Sequence, residues 1–82
     1  MQDHKKIITL LIQKHMAVLG PDIALSIAKK LPALILAGNG DVLAIIVYPK
    51  TALAEINDAY IAFTGELSGM LLASVMKEYH EQ

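Results

Sequence analysis

Between Lys5 and Leu19 apolar side chains return at the spacing of a helix. Ile8, Leu11, Ile12, Met16 and Leu19 fall on one side at about 100° per residue, with Lys6, Thr9 and Gln13 opposite. Gly20-Pro21-Asp22 closes this helix and opens another, because glycine tolerates the turn after a helix and proline suits the first turn of the next. Asp22 adds a charge that favours the new N-terminus. The second helix, about Pro21 to Leu31, turns Ile23, Ala24, Ile27 and Leu31 inward and Asp22, Ser26, Lys29 and Lys30 outward, and Pro32 stops it.

The pattern then changes. Ala33–Ala37 and Val42–Tyr48 flank Gly38-Asn39-Gly40-Asp41, and Asn-Gly between apolar runs predicts a tight β-hairpin. Neither run alternates with polar residues, so both faces of the ribbon want cover. One face can take the helices, and the other suits a second copy of the chain, with Leu34, Leu36, Ile45 and Val47 as the expected contacts. Thr51 reads as the N-cap of a third helix that places Leu53, Ile56, Tyr60 and Phe63 on one face. Thr64-Gly65 interrupts it. A fourth helix from about Glu66 to Tyr79 carries Leu67, Met70, Leu71 and Val75 inward, with fraying expected at His80-Glu81-Gln82.

The predicted class is therefore α+β, in the order helix, helix, hairpin, helix, helix, within one domain spanning residues 1–82. The helical pairs, about 5–31 and 51–79, also look alike when shifted by 45 residues around the hairpin at 33–48. His15-Met16-Ala17-Val18-Leu19-Gly20 then lies over Tyr60-Ile61-Ala62-Phe63-Thr64-Gly65, and Ala28 over Ala73.

Composition sharpens the expectation of self-association. Apolar residues make up 55% of the 82 and charged ones 18%, against averages of about 45–50% and about 25% in soluble domains. A chain of this length hides only roughly 60% of the surface its unfolded form exposes. Apolar area should remain outside, and a homo-oligomer, above all a dimer, is the common way to cover it. The expected role is a non-enzymatic interaction or regulatory module, pairing with itself or with another protein.

Net charge is −1, which supplies no broad basic field for nucleic acid. With no cysteine, thiol chemistry and disulfides are excluded, which fits a reducing, cytoplasmic setting. The apolar run Ile7–Ile12 is broken by Gln13, Lys14 and His15, and Leu31–Val47 is broken by Gly38-Asn39-Gly40-Asp41, so neither a signal peptide nor a membrane span is expected.

Candidate chemistry is sparse. His15 sits between Leu11 and Leu19 on the apolar face, and Tyr60, its counterpart under the shift, is another polar-tipped residue on a core face. Together they could present convergent polar groups to a small apolar ligand, as a carrier or sensor would. The plainer expectation is a hydrogen-bonded core histidine beside a packed tyrosine. His4, His15 and His80 lack metal-ligand spacing, so neither metal nor cofactor is expected. Gly65-Glu66-Leu67-Ser68-Gly69 is no nucleophile elbow, since Ser68 is off centre and opens a helix, and the sequence pairs no base with it. No catalytic set of acid, base and nucleophile can be named.

Two helices, a turn and a hairpin over Lys5–Val47 resemble a winged-helix DNA binder. The resemblance implies a DNA-binding regulator that meets phosphate through Lys14, Lys29 and Lys30. It departs in having only two helices before the hairpin and a tip, Asn39-Gly40-Asp41, without lysine or arginine.

Overall fold

The computed structural model describes residues 3–81, and side chains as far as Tyr79. Helices α1 (His4–Leu19) and α2 (Pro21–Lys29) precede strands β1 (Leu34–Leu36) and β2 (Val42–Ile45). Helices α3 (Pro49–Thr64) and α4 (Glu66–Glu81) follow, giving the α+β order the sequence predicts. Asp3 caps α1, its carboxylate accepting the Lys6 N–H at 3.1 Å. The third helix begins earlier than Thr51. Pro49 occupies its first turn, where a missing N–H costs nothing, and Tyr48 stands at the cap position without a side-chain bond. Helix α4 runs on to Glu81, past the end expected at Tyr79.

Ile7, Ile8, Leu11 and Ile12 of α1 form the centre of the core, joined by Ala24 and Ala28 of α2, Ala52, Ile56 and Tyr60 of α3, and Val75 of α4. Much of α2 and α3 thus meets the core through alanine, whose small side chain lets helices approach closely. Three residues expected inward stand outside as a result. Ile23, Phe63 and Met70 are exposed at 44%, 59% and 70%, because Ala24, Tyr60 and Ser68 take the inward positions beside them.

The strands pair antiparallel, Leu34 with Ile45, Ile35 with Ala44 and Leu36 with Val42. Leu43 is left without a partner of its own, a bulge that twists the ribbon. The turn is wider than a two-residue hairpin. The Gly40 N–H donates to the Ala37 carbonyl at 3.1 Å and the Ala37 N–H to the Asp41 carbonyl at 2.9 Å. Gly40 has φ of 90° and lies so close to α1 that a Cβ there would stand 2.7 Å from Met16 Sδ and 3.3 Å from Ile12 Cγ2. The hairpin tip is therefore seated on α1, where Thr9 Oγ1 also accepts the Val42 N–H at 2.9 Å.

Cross-strand partners share a face, and this sets where the residues expected to meet a second copy stand in the protomer. Leu34 is buried, and Leu36 and Ile45 are half-buried against the helices of their own protomer. Of the four residues expected to meet a second copy, only Val47, which lies beyond the end of β2, is exposed. The exposed large apolar residues here are Ile35 and Leu43 of the strands, with Ile46, Val47 and Tyr48 in the segment after β2.

The first helices of the two pairs keep the same interval, whereas α2 has 9 residues and α4 has 16. Helix α1 begins at His4 and α3 at Pro49, and they end at Leu19 and Thr64. The glycines that follow, Gly20 and Gly65, have φ of 92° and 69°. Each donates its N–H to the carbonyl four residues back, Met16 at 3.0 Å and Ile61 at 2.7 Å.

Candidate functional site

The polar centre of the molecule is built where α1, α3 and α4 meet. Helical periodicity carries His15 inward between Leu11 and Leu19, and it carries Tyr60 inward one turn after Ile56. Both residues are fully buried. Their rings stack at 3.7 Å between centroids with 8° between planes. The rings fill the space that a ligand pocket between them would need.

Each polar atom of the pair has a partner. His15 Nδ1 lies 2.8 Å from the Leu11 carbonyl, which can only accept, so Nδ1 carries the proton. Nε2 is then the acceptor, 2.7 Å from the hydroxyl of Ser68, which is also fully buried. Ser68 in turn bonds to the Thr64 hydroxyl, and Thr64 Oγ1 accepts the Ser68 N–H at 3.1 Å, tying the end of α3 to the first turn of α4. The Tyr60 hydroxyl donates to the Ala24 carbonyl at 2.9 Å. The pair is reciprocal: His15 in the first helix of one pair reaches the second helix of the other, and Tyr60 does the same in return.

Burial away from water sets the electrostatics. It lowers the His15 pKa below 6.5, against a smaller upward pull from the bonded Leu11 carbonyl. It pushes the Tyr60 phenol well above its usual 10. At neutral pH the cluster is therefore uncharged, with a neutral imidazole accepting from a hydroxyl and an un-ionised tyrosine.

Ser68 paired with a histidine was not legible from the sequence, where 53 residues separate them. Only the helical face of Ser68 could have signalled it, and the larger Met70 and Leu67 nearby obscure that face. A serine hydroxyl aimed at a histidine is also the arrangement that activates a nucleophile. Here the outer ring nitrogen is held by a neutral carbonyl rather than a carboxylate, and both side chains are sealed from solvent. As it stands, the cluster pins α4 and α1 together.

Lys14 pairs with Glu78 of α4 at 2.9 Å, whereas Lys29 and Lys30 stand together at the end of α2. Among the described residues no group of His, Cys, Asp or Glu could hold a metal ion, and no helix is long and apolar enough to cross a membrane. No protein-family model matches the chain, and neither a curated protein nor a solved structure proves similar to it.

Proposed function

We propose that the protein is a non-enzymatic interaction module that pairs with a second copy of itself through the outer face of its hairpin. One observation carries the reading. Ile35 and Leu43 on the strands, and Ile46, Val47 and Tyr48 directly after β2, are exposed apolar side chains, with Leu43 56% and Ile46 60% exposed. From Leu31 to Pro49 the only charged side chain is Asp41, at the turn. Lys5 of α1 reaches the Leu43 carbonyl at 3.5 Å from the edge of the ribbon, so charge borders the patch while its own side chains are apolar, which suits a two-fold interface where one patch meets itself.

Sedimentation equilibrium tests it. The wild-type chain is expected to be a dimer at micromolar concentration, and Leu43→Lys, at an exposed site, should be a monomer with an unchanged helical circular dichroism spectrum. A wild-type chain that remains monomeric at millimolar concentration overturns the reading.

A further inference from the structure

The hairpin tip holds the one Asn-Gly pair of the chain, Asn39-Gly40. Such a pair carries its own chemistry. The Gly40 backbone nitrogen can attack Cγ of the Asn39 side chain, because glycine has no Cβ to crowd the approach. An N–Cγ bond forms, the Cγ–Nδ2 bond breaks, and the Gly40 amide proton leaves with Nδ2 as ammonia. Water then opens the five-membered imide. Opening at Cγ gives an aspartyl residue at position 39, and opening at the backbone carbonyl gives an isoaspartyl residue, in which the main chain runs through Cγ. Water is the only co-reactant, and Asn39 is exposed to it.

The structure holds each group that this reaction has to move. The Gly40 N–H donates to the Ala37 carbonyl at 3.1 Å. Asn39 Nδ2, the leaving nitrogen, donates to Asp41 Oδ2 at 3.1 Å, and Asn39 Oδ1 accepts the Asp41 N–H at 3.0 Å. Asp41 is tied in turn to α1, its Oδ1 accepting from Gln13 Nε2 at 3.3 Å. Gly40 itself is buried against Met16 and Ile12. The tip must give up these bonds before the imide ring can close, so the reaction follows local opening of the hairpin.

We propose that Asn39 is a site of spontaneous covalent modification that Asp41 and Gln13 hold closed, and that the modified tip no longer seats on α1. The second half rests on the same contacts. An aspartyl product puts a second carboxylate where Nδ2 now stands 3.1 Å from Asp41 Oδ2, turning a hydrogen bond into like-charge repulsion. An isoaspartyl product adds a main-chain carbon next to Gly40, where even a Cβ would stand 2.7 Å from Met16 Sδ.

Peptide mapping by mass spectrometry tests this on the full chain, incubated near neutral pH with and without guanidinium chloride. Each native rate is divided by the rate of the same chain in denaturant, which removes any effect of local sequence. Asn39 is expected to convert on the order of a hundredfold more slowly in the native wild-type chain than in denaturant, the combined effect of the bonds at the tip. That protection should fall roughly tenfold in Asp41→Ala, which removes two side-chain bonds, and about threefold in Gln13→Ala, which removes one. Gln13 is exposed on α1, so its variant keeps the test valid if Asp41→Ala loosens the whole fold. Asn39→Asp, which carries the product's charge, should speed hydrogen exchange at the Gly40 amide roughly tenfold. The proposal is overturned if Asn39 converts as fast in the native wild-type chain as in denaturant, if it converts in neither, or if both variants keep full protection. Unchanged Gly40 exchange in Asn39→Asp overturns the claim that modification unseats the tip.

Discussion

His15 shows how one side chain links the core to pH. Its folded pKa is lowered by burial, so the unfolded chain binds a proton more readily than the native one. The stability this contributes is complete above about 6.5 and is lost as pH falls from there toward the folded value. Between Leu11 and Ser68 the ring has no carboxylate to compensate a positive charge, and Tyr60 offers it only a ring face. Urea unfolding at pH 7.5, 6.5 and 5.5 should therefore show a decline of at most about 1.4 kcal/mol per pH unit below 6.5. His15→Gln, which does not titrate, should be less stable at pH 7.5 yet lack this component. An equal decline in that variant would place the acid sensitivity elsewhere.

At the scale of elements, the hairpin depends on its seat against α1. Gly40→Ala would force a left-handed φ on a residue with a Cβ and push that Cβ onto Met16 and Ile12. The Met16 sulfur can move, but the backbone strain remains, and a loss of roughly 1–3 kcal/mol is expected in denaturant unfolding. Gly38→Ala is the control, since a Cβ there meets nothing within 4 Å. The element order was legible because its punctuation is chemical: Gly20-Pro21, Pro32, Asn39-Gly40 and Gly65 mark boundaries through backbone rules that tertiary contacts rarely override. Faces were less legible. In α2, α3 and α4 apolar residues occur all round, so periodicity could not tell that Ala28, Ala52 and Ser68 face inward while Ile23, Phe63 and Met70 do not. The ribbon posed the same difficulty, because both its sides are apolar and parity is set only by pairing and the bulge at Leu43. Of the central cluster, His15 and Tyr60 could be found from helical spacing. Ser68 and Thr64 could not, since hydroxyls at helix ends are common and the contact of Ser68 with His15 spans 53 residues.

The whole molecule is held together by bonds between its halves as much as within them. His15 to Ser68 and Tyr60 to Ala24 both cross the midpoint, and the hairpin strands pair across it as well. Helices α1 and α3 share their boundaries at an interval of 45 residues, and the bonds from His15 and Tyr60 run reciprocally between the two helix-glycine-helix segments. A unit that buries its apolar face mainly against its counterpart has little reason to fold alone, because isolated short helices are marginal in water. Cutting the chain at the exposed Asn39 should test this directly. Co-expressed fragments 1–39 and 40–82 are expected to copurify with the helical spectrum of the intact chain, while each alone is largely unfolded. His15→Ala together with Ser68→Ala should weaken their association, since the break falls where α1 of one fragment grips α4 of the other. If fragment 1–39 instead proves fully helical by itself, the stabilising contacts lie within the unit and the reciprocal lock is secondary.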